Sequence, residues 1–260
     1  MLIKKLKQML KWAIALGTVF CLSFLFAGGA NYYLSRDKIF SQAESLADGL
    51  GGNIDRLSRL IFLRQAVNAR LEQADYVKLQ DMPESLQQAV IAVEDRKFYS
   101  HWGFDVEGIF RASLVNLQYG EVREGASTIT QQLVKNLFLS QDQTLGRKAE
   151  EFLLALDMEL HYSKAEILEL YLNTIYFGSG YYGISEASRG YFDKEPAMLA
   201  LPEAAMLAGI PNAPSLYSPY ENFMLAKKRQ FIVLDAMTAA GFLRESVAED
   251  AKIKPIYLAH

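Results

Sequence analysis

A single cysteine stands in a chain of 260 residues. That excludes an intramolecular disulfide framework and a cysteine-rich metal site. Cys21 follows Thr18-Val19-Phe20 rather than the small residues expected ahead of a lipid-modified cysteine, and it reads as a membrane-buried side chain. Period-2 alternation is nearly absent, which sets aside a β-rich architecture. There is no internal repeat and no low-complexity tract. A basic face is missing too: the net charge of -3 argues against a nucleic-acid binder.

One long apolar run is present, at the N-terminus. Lys4, Lys5, Lys7 and Lys11 precede a charge-free stretch from Trp12 to Ala30, and the next charge is Arg36. Roughly 20 apolar residues cross a bilayer as a helix, and the lysine cluster stays on the cytoplasmic side. Tyr32 and Tyr33 fall at the expected interface. A cleavable signal peptide is the competing reading, with Ala27-Gly-Gly-Ala30 offering small residues to a peptidase. Either way the rest of the chain is expected outside the cytoplasm.

Helical spacing dominates the remainder of the chain, so the expected fold class is mainly α. The pattern divides into a basic tip and anchor (1–34), a helical stalk or adapter broken at Gly49, Gly51 and Gly52 (35–80), a helical domain (81–242) and a C-terminal tail (243–260). Asp81 is expected to cap a helix with Pro83 in its first turn, and Leu86, Ala89, Val90 and Val93 form its apolar stripe. Further helices are expected at 106–117, 128–137, 145–161, 163–172, 184–191, 202–207 and 222–239. Thr128 with Gln131, and Ser163 with Glu166, have the spacing of capping boxes.

The chemistry-bearing residues lie at helix ends. Glu94 closes the 81–94 helix and is followed by Asp95, Phe98, Tyr99, His101, Trp102 and Gly103. A carboxylate walled by aromatic rings tends toward a raised pKa and the role of a base. Ser127 and Thr128 open a helix, where free N–H groups favour an anion, and Gln131 and Lys135 share a face one turn on. Arg147 and Glu151 form an i,i+4 pair, with Lys148 alongside. Two carboxylates and several cations suit a transfer in which one acid takes a hydroxyl proton while the cations hold a leaving diphosphate.

These blocks carry a family resemblance. Glu94-Asp-x-x-Phe98-x-x-His101-x-Gly103 resembles the first motif of the peptidoglycan glycosyltransferases, found alone or as a module of class A penicillin-binding proteins. Gly125-x-Ser-Thr-Ile-Thr-Gln-Gln-Leu-x-Lys-Asn136 resembles the second and Arg147-Lys-x-x-Glu151 the third. The run from Lys164 to Asn173 with Tyr176-Phe-Gly178 matches the fourth, and Glu203 to Ile210 with Pro214 and Tyr217-Ser-Pro219 the fifth. The similarity spans about residues 82–240. Ala126 stands where many members have Gly.

The resemblance implies a lysozyme-like, two-lobed helical domain behind the transmembrane helix. It implies inverting polymerisation of lipid II onto a lipid-linked glycan strand, with release of undecaprenyl pyrophosphate. Glu94 would be the general base and Glu151 would organise the donor side. Arg111, Ser127, Gln131, Gln132, Lys135, Arg147 and Lys148 match positions lining the donor cleft. Asp95, Phe98, His101, Gly103 and Asn173 are expected to be structural, as are Glu169 and Glu203. The apolar stretch from Phe104 to Tyr119 corresponds to a jaw that dips into the membrane. A divalent cation, Mg²⁺ or Mn²⁺, is expected to arrive with the substrate, since no ligand cluster is visible. Cell-wall synthesis or division proteins are conceivable partners. The only Ser-x-x-Lys, Ser35 to Lys38, has no Lys-Thr-Gly downstream, so no transpeptidase is expected in this sequence; anchor and short tail favour a naturally monofunctional enzyme over a truncated bifunctional one. The alternatives are a lysozyme-like hydrolase, which has no use for cations at a neutral leaving group, and an inactive scaffold.

Overall fold

The computed structural model describes residues 63–71, 75–119, 125–139 and 145–259. The expected anchor at 12–30, and the adapter as far as residue 62, lie outside the described residues. Among those described, no helix is long and apolar enough to cross a membrane, and the only β-pairing is an isolated antiparallel bridge between Tyr176 and Tyr182. The architecture is mainly helical, as the periodicity predicts.

Eleven α-helices succeed one another among the described residues: α1 Leu63–Asn68, α2 Glu84–Glu94, α3 Val106–Tyr119, α4 Ile129–Phe138, α5 Leu145–His161, α6 Lys164–Thr174, α7 Gly183–Phe192, α8 Leu201–Gly209, α9 Pro214–Tyr217, α10 Pro219–Ala239 and α11 Glu245–Ile253. They divide into two compact units. One contains α3, within residues 105–126, and the other contains every other helix.

Within the first unit, Asp105 starts α3: its carboxylate accepts from the Glu107 N–H at 3.1 Å and its carbonyl from the Ile109 N–H at 2.9 Å. Phe110, Leu114 and Leu117 recur at i, i+4 and i+7, which places them on one face. All three are more than half exposed, as is Tyr119. The helix thus turns an apolar face to its surroundings.

In the larger unit, α8 is apolar nearly all round and is buried along its length. It packs against α2 and α10, and α11 closes over α8 and α10. A second group forms where α4 packs on α5 and α6, with α1 against α5, and α7 touches both α6 and α8. Tyr171, Tyr191, Phe98 and Phe177 are the largest side chains wholly buried in this core. Both expected capping boxes form, at Thr128/Gln131 and Ser163/Glu166. Asn222 leaves helical geometry inside α10 and its side chain accepts from the Leu225 N–H at 3.0 Å, restarting the helix where the sequence pattern starts it.

Three local expectations are corrected. Asp81 does not cap α2. It ends a 3-10 turn, Leu79–Asp81, and Pro83 takes the N-cap position without a side-chain bond. Proline has no side-chain acceptor to offer as a cap, and the Leu86 and Gln87 N–H groups donate to the Pro83 carbonyl at 3.0 and 3.3 Å. The 243–260 stretch is not a bare tail, for it contains α11, whose Ala248 and Ala251 are buried. The folded unit also starts ahead of residue 81. Leu63 and Val67 are buried, the Asn173 side chain brackets Val77 with two 2.8 Å bonds, and Glu169 accepts from the Leu79 N–H and the Tyr76 hydroxyl, both at 2.7 Å. The contacts of residues 76–79 reach the side chains of Glu169 and Asn173, about ninety positions on, so they show only in three dimensions.

Candidate active site

Helix α2 buries Leu86, Ala89 and Val90 and ends when Asp95 leaves helical geometry, its N–H still donating to the Ile91 carbonyl at 3.1 Å. Glu94 is therefore held at the last helical position, between the two helix groups. Its side chain is only 7% exposed. Oε2 accepts from Gln132 Nε2 of α4 at 2.7 Å. Oε1 is buried and has no hydrogen-bond partner; Arg229 of α10 stands 3.8 Å away. Burial pushes the Glu94 carboxyl above the ordinary carboxylate range. Gln132 and Arg229 pull the other way, and the charge of Asp95 adds to the rise.

Asp95 turns away from that pocket and ties the loop together. Both its oxygens lie 2.9 Å from His101 Nε2, and Oδ2 also accepts the Ile129 N–H at 3.1 Å. Ile129 opens α4, so the carboxylate sits at the positive end of that helix. Thr128, its N-cap, accepts from the Gln131 N–H and donates its own hydroxyl to the Gly103 carbonyl at 2.6 Å. Phe98 is buried between the Lys164 ammonium, 4.6 Å from its ring centre, and the edges of Tyr99 and His101. Gly103 has φ +72, and a Cβ there would meet the Ala155 carbonyl oxygen at 3.0 Å. Gly103→Ala should accordingly cost roughly 1–2 kcal/mol, read as a fall in melting temperature of about 2–8 °C. An unchanged melting temperature would mean that the loop re-forms without the left-handed turn.

The two adjacent glutamines of α4 divide the two acids between them. Successive helical residues point about 100° apart, and while Gln132 faces Glu94, Gln131 Nε2 lies 3.4 Å from Glu151 Oε1. Glu151, on α5, is 2% exposed. Lys148 bonds its Oε1, and Arg147 Nη1 lies 3.4 Å from Oε2. One carboxylate thus faces two cations near the start of α5, where the helix end also favours an anion. Lys135 is half-buried one turn further along α4 and Ser127 is exposed at its start. Arg111 lies on the exposed side of α3, in the other unit.

Two residues of the site escape sequence reasoning: Arg229, beside Glu94, and Tyr171 of α6, whose hydroxyl donates to Gln132 Oε1 at 3.1 Å. A signal for the first existed. Arg229 falls in register with the buried Ala226, Gln230 and Val233, so it is a charge inside an apolar stripe rather than the end of a solvated Lys-Lys-Arg run. Asn173, Glu169 and Glu203 hold backbone instead of lining the site; Glu203 accepts from the Ala200 N–H at 2.8 Å and from Lys194 at 2.6 Å. Among the described residues, no group of three or more His, Cys, Asp or Glu side chains is placed to hold a metal ion. Glu151 and Asp95 already accept from N–H donors, whereas Glu94 Oε1 does not.

The family model described as transglycosylase matches residues 63–238. The chain is 50% identical over 166 residues to penicillin-binding protein 1A of Neisseria gonorrhoeae, covering 64% of this chain and 21% of that one. It is 44% identical over 186 residues to penicillin-binding protein 1A of Aquifex aeolicus, covering 72% and 26%. A crystal structure of penicillin-binding protein 1A from Haemophilus influenzae aligns with a TM-score of 0.43 at 24% identity, over 71% of this chain and 18% of that one. The chain thus spans about a fifth to a quarter of the length of the relatives it matches.

Proposed function

From a chain that belongs to the transglycosylase family, we propose glycan polymerisation: lipid II units are joined into β-1,4-linked peptidoglycan strands, with release of undecaprenyl pyrophosphate. The observation that carries this reading is the asymmetry of Glu94, one oxygen held by Gln132 and the other buried without a hydrogen-bond partner. A desolvated carboxylate with one free lone-pair face is suited to take a proton from a hydroxyl held against it.

In the proposed step, the 4-hydroxyl of the acceptor GlcNAc gives its proton to Glu94 Oε1 as its oxygen attacks C1 of the donor MurNAc. The C1–O bond to the diphosphate breaks on the opposite face, inverting C1, and the bonding electrons leave with the diphosphate. Lys135, Arg147 and Lys148 offset that growing charge, with Ser127 as a further donor-side contact. Glu151 keeps Arg147 and Lys148 aimed rather than acting on the sugar. A divalent cation, in this reading, travels on the substrate diphosphate, while proton removal and charge compensation fall to the side chains. Cations around a leaving group distinguish this chemistry from hydrolysis of a neutral glycosidic bond.

The substrates are lipid-linked, so the site works at a membrane surface. The 12–30 segment supplies the anchor, the catalytic domain stands outside the cytoplasm, and the apolar face of α3 meets the lipid. The two helix groups meeting at Glu94 play the part of the two lobes of a lysozyme-like domain. The test is to incubate the detergent-purified chain with lipid II and Mg²⁺ or Mn²⁺ and resolve the products by gel. Polymer is expected; a folded protein that yields none under any of these conditions overturns the proposal.

A further inference from the structure

The general base is held by a residue that is half-buried and neutral, and that residue needs a holder of its own. A glutamine amide can face a carboxylate with its NH₂, which favours the charged acid, or with its oxygen, which opposes it. Nothing in Gln132 itself selects between the two. The selection comes from the far end of the amide: Tyr171, wholly buried in α6, donates its hydroxyl to Gln132 Oε1 at 3.1 Å, and Nε2 is thereby turned to Glu94 at 2.7 Å.

We propose that Tyr171 is a positioning residue for Glu94, acting through Gln132: the phenol fixes the amide orientation, and the amide fixes and charges the carboxylate. The hydroxyl can serve only as long as it stays a donor. Burial, with the charges of Glu94 and Asp95 nearby, holds its ionisation well above the ordinary tyrosine range. The other groups facing Glu94 do not substitute for the relay. Arg229 of α10 stands 3.8 Å from the opposite oxygen and Asp95 raises the carboxyl; α8, which packs against α2, carries one acid, Glu203, and it is engaged by Lys194 and the Ala200 N–H. Division of the two oxygens between a fixed amide and an unpaired face leaves Oε1 as the one free for a proton.

Tyr171→Phe removes only the hydroxyl. The amide then loses its preference, its oxygen can face Glu94, and the neutral acid is favoured. This inference rests on the proposed function for its catalytic meaning, but its primary readout does not. In full-length protein labelled with ¹³C at the glutamate carboxyls, the Glu94 signal is identified by its loss in Glu94→Gln. Its titration midpoint should move upward by about one pH unit in Tyr171→Phe. Gln132→Leu should move it the same way, and the double variant should add nothing further. The acid limb of the polymerisation profile should rise by the same interval while the plateau at higher pH is regained, an outcome that loss of packing alone would not give. An unmoved midpoint in Tyr171→Phe, or shifts that add in the double variant, overturns the relay. If Tyr171→Phe does not fold, an unmoved midpoint in Gln132→Leu overturns it equally. A shifted carboxyl in a protein that makes no polymer would leave the relay standing and sink the proposed activity instead.

Discussion

Glu94→Gln should lower the rate of lipid II polymerisation by about 10²–10⁴-fold, the range typical of a lost general base. The substitution keeps shape and an acceptor oxygen for Gln132, so binding should survive and the loss should fall on kcat. The wild-type rate should also fall in acid as Glu94 takes up a proton, with a midpoint above the ordinary glutamate value, because burial raises this carboxyl. The stability prediction has the opposite sign. An unfolded-chain glutamate titrates at about 4.3, and Glu94 in the folded protein titrates higher. Between those two values the native state binds more protons than the unfolded one, so stability declines as pH rises through the window. Glutamine does not titrate. Glu94→Gln should therefore melt higher than wild type at neutral pH, with the gain disappearing below about pH 4.3. Wild-type activity in the variant would sink the base assignment; a lower melting temperature at neutral pH would sink the raised carboxyl.

Much of this geometry is legible in the chain alone. Helix α4 announces itself through the Thr128/Gln131 box and the apolar Ile129, Leu133 and Val134, and those same residues decide which side chains face the acids. What sequence spacing could not supply were contacts between residues far apart in the chain. Tyr171 lies 39 positions from Gln132, and a tyrosine in an apolar helix looks like core, which most of Tyr171 is. Arg229 is hidden by its neighbours: Lys227 and Lys228 make the triplet look solvated, although only the arginine shares the inward face of α10. The same blindness explains residues 75–81, whose anchorage depends on Asn173 and Glu169, some ninety positions further along the sequence. Asp95 shows the converse case. Expected from the sequence to be structural, it faces His101 and the Ile129 N–H rather than the Glu94 pocket, and of the two adjacent acids only Glu94 is left with an open oxygen.

The second large effect is expected from Glu151→Gln, and it should divide differently between binding and rate. Glu151 is buried, with Gln131, Arg147 and Lys148 around it and no open oxygen facing outward among these contacts. Removing its charge takes away the carboxylate that Arg147 and Lys148 share. An anionic donor should then bind at least as well as before, because the local charge has become more positive. The cations themselves lose the group that aims them. Misplacement of a charge-stabilising group by about 1 Å is enough to cost roughly 10²-fold in rate, so kcat should fall by about that factor while KM for the lipid-linked donor stays level or drops. Stability should fall by about 1–3 kcal/mol, discounted from a fully buried pair because Lys148 remains partly open to solvent. Steady-state polymerisation at varied lipid II concentration, with a melting curve on the same preparation, separates these effects. A raised KM at unchanged kcat would make Glu151 a substrate contact and remove it from the role of aligning Arg147 and Lys148.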